Sequence, residues 1–147
     1  MSIIYLDTSA MLKLYVQEKQ SDDVYDLFHK SENTGTSILT YTEMASAMSR
    51  AQRMHLISSD ESRDAWNKFL KEWPEINRLR ISAQLTERAA SLSWEFGLRG
   101  YDAMHLASAL TWQETLETSV CLATFDRLLW NSGQKAGVKI WPETFTV

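Results

Sequence analysis

The sequence predicts an α/β protein: a layered fold with a mostly parallel central sheet of about five strands flanked by helices. Three observations carry that expectation. Ile3 to Leu6 is a short, almost wholly apolar run, as in a strand covered on both faces. Strand-like segments then alternate with helical patterns along the chain. The last of them, Val138 to Trp141, again follows a helical pattern. No repeat, low-complexity tract or linker interrupts the series, and 147 residues suit one domain at roughly 100–200 residues per domain. The expectation is a single domain spanning residues 1–147.

Each element has its own signal. The first strand ends at Asp7-Thr8-Ser9, after which Ala10, Met11, Leu14 and Tyr15 recur at helical spacing. A helix over Ser21 to Lys30 places Val24, Leu27 and Phe28 on one face. Asn33-Thr34-Gly35 reads as a break and Thr36 to Leu39 as the second strand. Thr40-Tyr41-Thr42-Glu43 opens a long helix to about Arg53, with Thr40 and Glu43 at capping-box spacing. Ser58 and Glu61 have the same spacing and start another helix, with Ala65, Trp66, Phe69, Leu70 and Trp73 as its apolar stripe and Pro74 as its stop. Ile76 to Ile81 alternates as a less buried third strand, and Leu85 to Phe96 is helical up to Gly97. Asp102 to Leu116 is helical, Ser119 to Thr124 is a fourth strand and Asp126 begins a short helix.

Composition narrows the function. With 44% hydrophobic and 23% charged residues, disorder, collagen-like repeats and disulfide scaffolds are excluded. A formal net charge of −4 argues against wrapping nucleic acid by its phosphates, so any such contact is local, transient or metal-assisted. No stretch approaches the ~20 apolar residues of a membrane span, and the N-terminus lacks the basic start of a signal peptide. With a single cysteine, Cys121 in an apolar run, a reducing, cytoplasmic setting is expected. Motifs of P-loop, dinucleotide, serine-hydrolase and zincin enzymes are absent from the sequence.

Four acidic residues stand out by position. Asp7 ends the first strand, Glu43 lies just past the second, Asp126 follows the fourth, and Asp102 begins a helix after the Gly97-Leu98-Arg99-Gly100 break. Parallel sheets bind ligands beyond the carboxyl ends of their strands. Carboxylates brought together there repel unless a cation intervenes, and oxygen ligands suit Mg²⁺ or Mn²⁺. Such an ion polarises phosphoryl oxygens and activates water, which points to phosphodiester hydrolysis. The plainer alternative is helix capping by the same residues, a role Asn fills about as well as Asp.

The segments Tyr5-Leu6-Asp7-Thr8-Ser9-Ala10, Thr42-Glu43-Met44-Ala45-Ser46-Ala47, Arg99 to Ala109 (containing Tyr101-Asp102-Ala103-Met104-His105) and Leu122-Ala123-Thr124-Phe125-Asp126-Arg127 together resemble the four signature regions of PIN-domain ribonucleases, above all the VapC-type toxins of toxin–antitoxin pairs. The resemblance covers essentially the whole chain. It implies a PIN-like three-layer fold and an endoribonuclease dependent on Mg²⁺ or Mn²⁺. Asp7, Glu43, Asp102 and Asp126 would then be its metal-site and catalytic acids, with Ser9 and Thr124 as polar neighbours that orient ligands or water. It also implies an RNA substrate, a homodimer and a small antitoxin partner.

Among the remaining candidates, Arg99 and Arg127 adjoin the acids in sequence and are read as phosphate or antitoxin contacts, or as plain surface charges. His105 is three residues from Asp102 on one helix face, and its apolar neighbours favour a hydrogen-bonded core histidine. Cys121 reads as a small buried hydrophobe. The six tryptophans are expected mostly in the core, with Trp66, Phe69, Leu70 and Trp73 read alternatively as a dimerisation or antitoxin-docking stripe. Two rivals stand beside the nuclease: an aspartyl phosphotransferase with Asp7 as nucleophile, weakened by Ser9 where a second carboxylate is usual, and a non-catalytic binding module whose acids only cap helices.

Overall fold

The computed structural model describes residues 2–145. Five strands form one sheet: β1 (Ile3–Leu6), β2 (Asn33–Ser37), β3 (Asn77–Leu79), β4 (Val120–Ala123) and β5 (Lys139–Trp141). Their order is β3-β2-β1-β4-β5, and every neighbouring pair is parallel. The helices are α1 (Thr8–Leu12), α2 (Ser21–Lys30), α3 (Thr40–Arg53), α4 (Ser59–Glu72), α5 (Ala83–Phe96), α6 (Gly100–Leu116) and α7 (Arg127–Ala136).

The apolar run of β1 serves two cores at once because successive side chains of a strand point to opposite faces. Ile4 and Leu6 pack with Met11, Met44 and Phe69, while Tyr5 packs on the other face with Leu92, Leu106 and Leu122. β4 divides the same way, Cys121 and Ala123 against Val120 and Leu122. Three layers result, as expected: helices, sheet, helices.

Local signals decide most boundaries. Ser58 accepts from the Glu61 N–H and Glu61 from the Ser58 N–H, both at 3.0 Å, so the capping box opens α4 as read. Gly97 ends α5 in the left-handed region at φ 70°, which glycine adopts without steric cost. Two expectations need correction. β2 begins at Asn33, inside the presumed break, because Gly35 is a packing residue: a Cβ there would lie 2.5 Å from Cη2 of Trp112. Thr40 and Glu43 form no capping box, since the α3 cap is Leu39 without a side-chain bond, and Thr40 instead shares a 2.7 Å hydrogen bond with Thr36.

Candidate active site

From β1 the chain moves outward to β2 and β3, then returns through α5 and α6 to β4 on the other side of β1. Strand order therefore reverses between β1 and β4, where parallel sheets open a crevice at their carboxyl edge. Asp7 leaves β1 at this point and Thr124-Phe125-Asp126 leave β4. The Asp7 N–H donates to Ala123 O at 3.2 Å, holding the two exits together. The first turn of α3 brings Glu43 and that of α6 brings Asp102. These four acids line one cleft of about 150 Å³ with Thr8, Ser9, Arg99, Tyr101 and His105. A roomier groove of about 570 Å³ beside Leu12, Val16, Met54 and Leu56 is mainly apolar and holds no comparable set of acids.

Asp7 is 3% exposed, and both of its oxygens accept hydrogen bonds. Its Oδ1 accepts from the Ser9 hydroxyl at 2.6 Å and the Ala10 N–H at 2.9 Å, and its Oδ2 accepts from the Thr124 hydroxyl. Burial pushes its pKa above the ordinary carboxylate value, against the opposing influence of His105 and these donors. Ser9 and Thr124 work twice: each also accepts a backbone N–H, from Phe125 at 2.9 Å and Asp126 at 3.1 Å respectively. Both thus lock the β4 exit loop to Asp7.

Glu43 Oε1 accepts from the Thr8 hydroxyl at 2.6 Å and from Nε2 of His105 at 2.7 Å. Burial works against its charge, yet the bond and charge of His105, helped by Thr8, hold its pKa below the ordinary value. Nδ1 of His105 lies 2.8 Å from the Tyr5 hydroxyl, so the imidazole joins the sheet to Glu43. His105 is the buried, hydrogen-bonded histidine expected from sequence, but one of its partners is a cleft acid.

Asp102 sits in the first turn of α6, where Arg99 reaches its Oδ2 through Nε at 3.4 Å and Nη2 at 3.3 Å. The same Nη2 lies 3.3 Å from Asp126 Oδ2. Burial, then the charge of Asp126, raises the Asp102 pKa to about 6 despite Arg99. Asp126 Oδ1 caps α7 by accepting the Leu129 N–H at 2.9 Å.

Capping therefore accounts for Asp7 and Asp126 but not for Glu43 and Asp102, neither of which accepts a helix-end N–H. A protein that used its acids only as caps would have no need of those two. The rival role of Asp7 as covalent nucleophile lacks the second carboxylate usual two residues on: Ser9 stands there and donates its hydroxyl to Asp7 Oδ1 at 2.6 Å.

The four acids suit a hard divalent ion: they offer carboxylate oxygens on buried or half-buried side chains, the Thr8 and Ser9 hydroxyls lie beside them, and burial together with the charges of Asp126 and Asp7 raises the pKa of Asp102. Among the described residues, however, no three His, Cys, Asp or Glu side chains are grouped as a ready-made cage. Each carboxylate is engaged instead with its own hydroxyl, imidazole or guanidinium partners.

Other expectations resolve individually. Cys121 is buried, and burial raises its pKa to about 11, as befits an inert thiol. Arg127 stacks over Phe145 at 4.8 Å and is not among the residues lining the cleft. Phe69 and Trp73 are buried, with Trp66 and Tyr41 packed against them, so most of the presumed interface stripe belongs to the core. Trp94 breaks the core expectation with 91% exposure. Thr8, Tyr5 and Tyr101 were missed as site residues. Thr8 and Tyr101 adjoin the acids in sequence, which was a usable signal, whereas Tyr5 is tied to the cleft only through His105.

A parallel α/β layer with acids from four chain segments at its strand-order switch defines a class of carboxylate-cleft proteins. Its particular family is shown by comparison: the chain belongs to the PIN-domain family, matching it over residues 4–129. Ribonuclease VapC45 of Mycobacterium tuberculosis is 30% identical over 142 residues, covering 97% of this chain and 96% of that protein. In fold the chain is similar to VapBC2 from Rickettsia felis, solved with a DNA fragment from its promoter (TM-score 0.63, 13% identity, 94% and 96% coverage). It is similar also to a toxin–antitoxin complex from Klebsiella pneumoniae (TM-score 0.57, 20% identity, 84% and 86% coverage).

Proposed function

We propose that the chain is a Mg²⁺- or Mn²⁺-dependent endoribonuclease, the toxin of a toxin–antitoxin pair. The observation that carries this reading is the convergence of Asp7, Glu43, Asp102 and Asp126, from four chain segments, on one cleft at the β1/β4 switch. Support comes from the relatives, which include ribonucleases by name and toxin–antitoxin complexes by fold. The four acids are the residues that would hold the ion. When bound, such an ion supplies Lewis acidity at a phosphoryl oxygen and lowers the pKa of water.

The chain's own groups do the orienting. Ser9 and Thr124 fix both oxygens of Asp7, and Thr8 and His105 fix Glu43, so two of the acids present defined lone pairs to the cleft. This preorganisation is what stabilises developing charge without rearrangement. The expected partners are RNA, an antitoxin and a second copy of the chain.

The test is cleavage of defined RNAs with and without Mn²⁺, wild type beside Asp7→Asn. Asn keeps an oxygen for the Ala10 N–H while removing a charge that burial disfavours, so the variant should melt no lower than wild type. Its cleavage should nevertheless fall by a factor of at least about 100, the scale of losing one electrostatic catalytic element. Wild-type cleavage in a folded variant would remove Asp7 from the machinery, and cleavage indifferent to Mn²⁺ would remove the ion.

A further inference from the structure

The cleft contains a cation of its own. Arg99 places Nη2 3.3 Å from both Asp102 and Asp126 and Nε 3.4 Å from Asp102. Apart from His105, it is the one basic side chain lining the cleft among the described residues. We propose that the Arg99 guanidinium and a divalent cation compete for the Asp102 and Asp126 carboxylates, and that the displaced guanidinium binds an RNA phosphate at the cleft mouth. This inference rests on the nuclease reading and assigns Arg99 a substrate-binding role within it.

Three features make the guanidinium exchangeable. Its side chain is 64% exposed whereas that of Asp102 is 10% exposed, so the arginine can return to water while the acid remains buried. Its contacts are long for charge-assisted bonds, which run at about 2.7–2.9 Å, and ion pairs this exposed are weak. Arg99 also stands at the start of α6 without a side-chain capping bond, so release requires side-chain torsions alone and leaves the helix intact.

An aromatic support is already in place. While paired with the two acids, the guanidinium carbon lies 4.9 Å from the ring centre of Tyr101, which is 43% exposed and lines the same cleft, so the ring can hold the guanidinium when the acids let go. A guanidinium lying against that ring keeps its planar fork of donors for a phosphate, the geometry that arginine offers and lysine lacks. Uptake of the ion would then uncover a phosphate-binding group beside the acids in a protein of net charge −4.

The experiment measures Mn²⁺ binding to the full chain by titration calorimetry, for wild type, Arg99→Gln and Arg99→Lys. A phosphorothioate RNA oligonucleotide is followed in parallel by fluorescence anisotropy with and without Mn²⁺. Arg99→Gln should bind Mn²⁺ roughly two- to thirtyfold more tightly, the range set by no longer displacing two solvent-screened ion pairs. It should also lose most of the Mn²⁺-induced gain in RNA affinity. Arg99→Lys should retain part of the competition but not the gain, because its ammonium lacks the bidentate fork. Equal Mn²⁺ affinity in wild type and Arg99→Gln, or an undiminished gain in RNA affinity, overturns the exchange while leaving the nuclease reading intact. Failure of wild type to bind Mn²⁺ at all overturns both.

Discussion

At the scale of single residues, Asp102 sets a measurable pH dependence. Its carboxyl titrates at about 6 in the folded chain against an ordinary value of 3.8. Between those values the folded state binds more protons than the unfolded one, so stability falls as pH rises through the window. Asp7, raised by burial, acts in the same direction, whereas Glu43, held low, loses stability as pH falls. Asp102→Asn removes the first effect alone. The variant should therefore melt higher than wild type at about pH 7.5, with the advantage shrinking by about pH 4.5, as followed by thermal denaturation in metal-free buffer. No change in that difference between the two pH values would show that Asp102 is not strained by its charge. The positions of the four acids were legible in the sequence because three of them adjoin strand ends. What joins them was not, since hydrogen bonds such as Thr124 to Asp7 cross 117 positions of chain.

At the scale of elements, β2 shows how a residue type can mislead. Asn33-Thr34-Gly35 has turn composition, yet all three residues pair with β1, and Gly35 is glycine because the indole of Trp112 occupies its side-chain space. Glycine within a strand often marks such a close approach. Gly35→Ala should destabilise the protein by about 1–3 kcal/mol, the usual cost of overpacking a filled core, as measured by chemical denaturation. A neutral effect would mean that Trp112 yields easily. The α4 box was legible because Ser58 and Glu61 act within one turn of helix. The matching spacing of Thr40 and Glu43 was deceptive because tertiary partners, Thr36 for one and His105 for the other, outcompeted the local bond.

For the whole molecule, fold class, parallel pairing and five strands were all legible, because strands covered on both faces leave continuous apolar runs and because helices separate them. The net charge of −4 carries a prediction of its own: RNA binding should show a shallow salt dependence. The slope of log affinity against log salt should have a magnitude near 1–2, against about 6–10 for proteins that neutralise many phosphates, as read from anisotropy titrations at several salt concentrations. A steep slope would reveal an extended basic track and displace the cleft as the principal contact. The line from Tyr5 through His105 to Glu43 bears on the architecture too. Tyr5 belongs to one apolar layer, and Glu43 rides on a helix of the other. That polar strut fastens the two halves of the sandwich at the rim where the acids meet, so a loosened core on one side would be felt as a misaimed carboxylate on the other.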